Sequence, residues 1–353
     1  MSKENQGNEI RTEISSIGEF GLIERISKEF NLSNPSTRLG IGDDAAVIQS
    51  GSEYLLLSKD LLLEGIHFDL SYVPLQHLGY KAIACNVSDI AAMNGKPSQV
   101  AIGLALTNRF SVEVVDVIYQ GIKAACDNYK VDLVGGDTTA SPYGLVISVS
   151  ILGTVGPNKI AYRSGAKDND IICVTGDLGG AYMGLQILER EKAVYKSNPE
   201  MQPDLQQYEY IVKRQLKPEA RMDIIFELED AGVVPTSMID ISDGLASELM
   251  HISKNSNVGV KVLEDKIPID NQTFETALEF KLDPITCALN GGEDYELLFT
   301  IDQKDFEKIK NHPDIHFIGH IHANASQNVL ITKQGSVVPI KAQGWDHFPF
   351  HAK

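Results

Sequence analysis

The sequence predicts an α/β (α+β) protein of two mixed α/β domains, and three observations carry that expectation. Strand-like and helix-like segments alternate in both halves, the pattern of sheets covered by helices. At 353 residues the chain is longer than one core commonly fills. Gly156-Pro157-Asn158 punctuates it near the middle, where helix and strand propensities both lapse. The expected domains are 17–155 and 156–349.

Residues before about Ser16 are polar and read as a loose arm. From Glu19 to Phe30, apolar Phe20, Ile23, Ile26 and Phe30 recur at helical spacing. Gly40-Ile41-Gly42-Asp43-Asp44 is a turn, followed by a short apolar strand through Ile48. Tyr54 to Ser58 reads as a strand ending at Asp60. Pro74 to Met93 reads as a long helix, with Asp89 near its end and Asn94-Gly95-Lys96-Pro97 as its stop. Val100 to Leu106 is a strand, and Ser111 caps a helix to Tyr129. Val131 to Val134 is a strand that enters a turn, Gly135-Gly136-Asp137, and Leu145 to Val155 is a long strand. In the second half the strands are Ile171 to Thr175, Met238 to Ile241, Val258 to Val262, Tyr295 to Ile301, Ile315 to Gly319 and Val329 to Ile331. Helices are expected from Gly180 to about Leu188, before and after Pro218, from Leu245 to about Ser253, and at Phe306 to Lys310.

A net charge of −17 disfavours nucleic acid or an anionic membrane as partner, since both need a basic face. No apolar run reaches membrane-spanning length and no apolar leader opens the chain. Cys85, Cys126, Cys173 and Cys287 form no C-x-x-C pair and sit in apolar surroundings, as reduced core thiols do. The expectation is a soluble, cytoplasmic protein.

The chemistry lies in a recurring design, an acid in a Gly-, Ser- or Asn-rich stretch: Asp44, Ser58 with Asp60, Asp89, Asp137, and Asp240 with Asp243. Gly291-Gly292-Glu293-Asp294-Tyr295 adds a sixth. A single Asp after a strand is more often a cap or turn former. The whole set is better explained by magnesium, which takes hard oxygen ligands. Gly135, Gly136 and Ser242 suggest either a cradle of backbone N–H groups for phosphate or plain tight turns. Arg163 can neutralise a phosphate or form a surface ion pair. His67 can contact a phosphate or be a satisfied core histidine. Trp345, the sole tryptophan, can stack on a cationic ring or anchor the core. No Walker-A run and no nucleophilic triad is visible.

Taken together, Gly40-to-Asp44, Asp60-to-Phe68, Asn86-to-Met93, Val134-to-Thr139, Arg163-to-Lys167, Asp240-to-Leu245, Gly291-to-Leu297 and Gly344-to-Phe348 resemble the thiamine-monophosphate kinase family. Its superfamily also holds aminoimidazole ribonucleotide synthetase, selenophosphate synthetase and a hydrogenase maturation protein. The resemblance implies ATP-dependent phosphorylation of thiamine monophosphate to thiamine diphosphate, the last step in making that cofactor, by direct in-line transfer with several Mg²⁺ ions. It implies Asp44, Ser58, Asp60, Asp89, Asp137, Asp240 and Asp243 as magnesium positions. It implies Gly136, Asp137, Arg163, Ser242 and Tyr119 as ATP contacts, and His67, Glu293 and Trp345 as contacts to thiamine monophosphate. It also implies a homodimer paired through the N-terminal sheet. Lys59 departs from the threonine the family commonly has there, and an ammonium cannot ligate magnesium. A non-catalytic Mg-nucleotide sensor is the alternative from another class.

Overall fold

The structure, a computed structural model, describes residues 12–342. The first half builds β1 (Thr37–Leu39), β2 (Ala46–Ser50), β3 (Glu53–Leu63), β4 (Lys96–Leu106), β5 (Asp132–Ala140) and β6 (Val146–Val155), with helices α1 (Gly18–Ser27), α2 (Leu75–Ala92) and α3 (Val112–Tyr129). The strands form one sheet in the order β1-β2-β3-β6-β4-β5. Neighbours are antiparallel except β4 and β5, which run parallel.

The second half builds β7 (Ile171–Thr175), β8 (Ser237–Asp240), β9 (Gly259–Leu263), β10 (Leu297–Ile301), β11 (Ile315–His322), β12 (Val329–Ile331) and β13 (Val337–Pro339). They form a second sheet, β13-β12-β9-β11-β7-β10-β8. Its helices are α4 (Gly180–Ser197), α5 (Glu209–Leu216), α6 (Met222–Asp230), α7 (Leu245–Ser256), α8 (Asn271–Glu279), α9 (Pro284–Asn290) and α10 (Phe306–Ile309). Mixed α/β layers in both halves match the predicted fold class.

The long central helix positions the site. α2 is buried almost throughout. It packs on β3 and β6 of the first sheet, and it touches β8 of the second. Its apolar residues Leu78, Ile83, Val87 and Ile90 enter the first core. Its polar Lys81 and Ser88 reach the second half, at the Gln215 carbonyl and at Asp240. α3 lies against α2 at a distance only glycine permits. A Cβ on Gly121 would meet the Gln76 carbonyl oxygen at 1.8 Å, and one on Gly79 would meet that of Ile118 at 2.0 Å.

Two of the expected strand ends are not ends. β3 continues through Asp60, because β6 supplies ladder partners out to Leu63. β5 continues through Gly135-Gly136-Asp137, paired with Ala101, Ile102 and Gly103 of β4. Asp89 lies within α2, towards its end as expected. α8 and α9 answer to no sequence expectation, while β7 and β12 have the expected bounds. Among the described residues, no helix is long and apolar enough to cross a membrane.

Candidate active site

Asp44 enters from the turn before β2, Asp89 from α2, and Asp240 from the end of β8. One oxygen of each lies within 4.8 Å of the others. Serines aim two of them. The Ser88 hydroxyl donates to Asp240 Oδ2 at 2.6 Å, and the Ser58 hydroxyl donates to Asp89 Oδ2. Arg163 donates to Asp44 Oδ1 through Nη2 at 2.5 Å and Nε at 3.2 Å. Asp44 Oδ2 is buried without a partner among the described residues. Asp43 lies behind, its carboxylate accepting the backbone N–H of Arg163 at 3.2 Å.

Burial, more than any neighbour, pushes these carboxyls up. Asp43 and Asp240 each rise to about 7, with Asp44 the next cause for both. Asp89 rises well above the usual range, through burial and then Asp60 and Asp240. Asp44 and Asp60 are raised by burial too, against the opposing pull of Arg163 and Lys59 respectively. Burial works against the Arg163 charge, but Asp44 and Asp43 outweigh it and hold the guanidinium protonated. Several like charges beside a single guanidinium call for protons or a further cation. An all-oxygen donor set with one idle buried oxygen fits magnesium.

The cluster opens onto a cavity of about 880 Å³, lined among others by Asp60, Asp89, Asp240, Ser242, Asp243, His67 and Glu293. Seven predicted residues are thus brought to one place. Ser58 lies behind Asp89. Lys81, Cys85 and Asp89, at i, i+4 and i+8 of α2, form one wall. Tyr182, Leu185, Gln186, Glu189 and Lys192, on one face of α4, form another that runs about 15 Å along the helix. Lys192 pairs with Asp69 at 2.7 Å and Glu189 at 3.0 Å, which pins the loop bearing His67 to α4. His67 Nδ1 accepts the Leu63 N–H at 3.1 Å. Glu293, at φ +66°, pairs with Lys81 at 2.8 Å and accepts from Gln215 at 2.5 Å.

Other predicted residues lie elsewhere. Gly136 and Asp137 sit on exposed β5. Three strand spacings, about 14 Å, separate Asp137 from the Leu61 position beside Asp60. Tyr119 packs against the first core. Trp345 falls outside the described residues. The Lys59 ammonium donates to Ser148 Oγ at 2.6 Å on β6.

One phosphate expectation changes. The N–H groups of Ser242 and Asp243 do not form an outward cradle; both donate to Glu248 Oε1, at 3.1 and 2.8 Å. At the start of α4, the Gly179 and Ala181 N–H groups donate to Asp294, at 2.7 and 3.2 Å. That helix end already holds an anion of the protein's own. Asp43, Lys81, Ser88, Gln215 and Glu248 escaped the sequence reasoning. Only Lys81 left a legible signal, its helical spacing from Asp89.

Residues 42–155 match the family described as AIR synthase related protein, N-terminal domain. The thiamine-monophosphate kinase of Aquifex aeolicus is 34% identical over 336 residues, 95% of this chain and 99% of that protein. That of Bacillus subtilis is 32% identical over 341 residues, 94% and 99% of the two chains. A solved structure described as AaThiL complexed with AMPPCP and TMP superposes with a TM-score of 0.82 at 32% identity, covering 96% of this chain and all of that one. With this identity over nearly the full length of both chains, the chain belongs to the thiamine-monophosphate kinase family.

Proposed function

We propose that this protein transfers the γ-phosphoryl group of ATP to the phosphate of thiamine monophosphate, giving thiamine diphosphate and ADP. The observation that carries this reading is the close trio Asp44, Asp89 and Asp240, two of which line a cavity large enough for an organic phosphate. The solved relative with an ATP analogue and TMP supports it.

Asp44, Asp89 and Asp240 would hold Mg²⁺, with Asp60 and Asp243 on the adjoining wall. Such ions neutralise phosphate oxygens and screen donor from acceptor. Arg163 orients Asp44 and favours its charged form against the effect of burial. Ser242 meets ATP through its hydroxyl, because Glu248 engages its N–H and Glu293 donates to its carbonyl at 2.7 Å. His67 and Glu293 hold the acceptor along the cavity. An oxygen of the acceptor phosphate attacks the γ-phosphorus in line as the bond to the β–γ bridging oxygen breaks, and ADP leaves. An ionised phosphate monoester needs no strong general base. No protein nucleophile is required, and the Cys85 thiol on the cavity wall is pushed far up by burial.

We assign a homodimer. β5 is an edge strand with Leu133 and Val134 exposed, and Leu57 and Leu61 of β3 are exposed in the same sheet. A second copy laid there would cover them. Asp137 is too far along the sheet to share an ion with Asp60 of its own chain. Gly136 and Asp137 therefore serve the site across the interface. The domain boundary falls at 155/156, between the two sheets.

The test is incubation with ATP, Mg²⁺ and thiamine monophosphate, with the thiamine esters separated as thiochromes. Thiamine diphosphate should form, and should be lost with EDTA or in Asp60→Asn. Intact nucleotide binding without diphosphate would replace the kinase reading with that of a sensor.

A further inference from the structure

Glu248 is 2% exposed, in the first turn of α7 and surrounded by the second core. Leu245, Leu249 and Ile241 beside it in sequence are fully buried. An apolar side chain would suit such a place, since a buried carboxyl forfeits its hydration. What the carboxyl does there is specific. Its Oε1 accepts two consecutive backbone N–H groups, those of Ser242 and Asp243. Its Oε2 has no partner among the described residues. Both N–H groups belong to the turn between β8 and α7, whose cap residue Gly244 offers no side chain. Ser242 and Asp243 themselves are not buried. The turn is thus fastened from beneath while its two side chains face the cavity.

The same turn fastens the acceptor side. The Ser242 carbonyl accepts the Glu293 N–H at 2.7 Å, and the Ile241 carbonyl accepts the Tyr295 N–H at 2.9 Å. Glu293 and Tyr295 both stand in the left-handed region, at φ +66° and +53°. Non-glycine residues keep that conformation only when their surroundings impose it. One buried carboxyl therefore underlies both the turn of Ser242 and Asp243 and the strained loop of Glu293.

We infer that Glu248 is a positioning residue, holding the Ser242-Asp243 turn, and through it the Glu293 loop, in the geometry the phosphoryl transfer requires. This rests on the kinase reading above. Misplacing such a turn by an ångström costs on the order of 100-fold in rate.

The experiment compares the full-length wild type with E248Q and E248L. Hydrogen exchange in the metal-free protein reads the turn directly. The Ser242 and Asp243 amides should be protected in the wild type, although neither residue is buried, and should lose protection in E248L. Glutamine keeps an oxygen that can accept both bonds, so E248Q should recover protection. Under the kinase assay, E248L should need roughly tenfold more Mg²⁺ for half its maximal rate and lose about 100-fold in kcat, and E248Q should recover most of both. A residue that only supports the fold would lower the Tm without moving the Mg²⁺ requirement of the folded fraction. Should E248L not fold, the wild-type amides still decide: exchange at unprotected rates overturns the inference. So does an E248L enzyme whose Mg²⁺ requirement is unmoved, or an E248Q enzyme as impaired as E248L. A wild type that makes no thiamine diphosphate overturns the kinase reading instead, and leaves the exchange result to judge Glu248.

Discussion

At the scale of single residues, the site is built from acids aimed by small hydroxyls. Ser88 and Asp89 are neighbours on α2, so their side chains leave the helix about 100° apart. Asp89 faces the cavity, while Ser88 reaches across to Asp240 on β8. Ser88→Ala leaves Asp240 with one oxygen unaimed, and partners of this kind are worth about 10–100-fold in metal affinity. The expected outcome is a Mg²⁺ half-saturation raised by about tenfold or more, read from a rate titration, with the unfolding midpoint nearly unchanged. Unaltered Mg²⁺ dependence would show that Asp240 needs no such guide. The sequence made Asp44, Asp89 and Asp240 legible because their residue type and turn-rich surroundings signal hard-ion chemistry. It hid Ser88 and Glu248, and signalled Lys81 only by its helical spacing from Asp89. Their meaning comes from what faces them in three dimensions.

At the scale of elements, α2 is the axle between the sheets. Its approach to α3 leaves no room for side chains at Gly79 and Gly121, since the added atom would meet backbone and not a flexible tip. Gly121→Ala should destabilise the protein by about 3 kcal/mol, measured by urea unfolding. Activity should fall with it, because α2 carries Lys81, Ser88 and Asp89. A loss below about 1 kcal/mol would show that the helices part easily. Helix α2 and strands β7 and β12 were legible from periodicity and apolar runs. The path of β5 was not. Glycine pairs advertise turns, and only the tertiary ladder offered by β4 makes Gly135-Gly136 extended. Asp60 was misplaced for the same reason, with β6 supplying the partner strand.

At the scale of the molecule, the carboxylate cluster is a source of instability that a bound cation should relieve. Asp43 and Asp240 titrate near 7 in the folded protein, against about 4 unfolded. The folded state then binds more protons over that range, so metal-free stability falls as pH rises towards and through 7. Asp294, raised to about 7 by burial, acts with the same sign. His251, lowered to about 4 by burial and then by Arg163, acts the other way, but only below about 6.5. Between pH 6.5 and 8 in EDTA the Tm should therefore drop, and Mg²⁺ should restore more of it at pH 8 than at pH 6.5. A flat profile, or equal rescue at both, would mean that the cluster carries no such burden. The position of Asp137, about 14 Å along the sheet from the strand of Asp60, bears on inheritance as well as on geometry. In the proposed pair, a lesion at Asp60 and a lesion at Asp137 fall in the same site when they arrive on different chains, and the other site stays whole. Two defective alleles expressed in one cell would then assemble some pairs with one site intact, and each would mask the other.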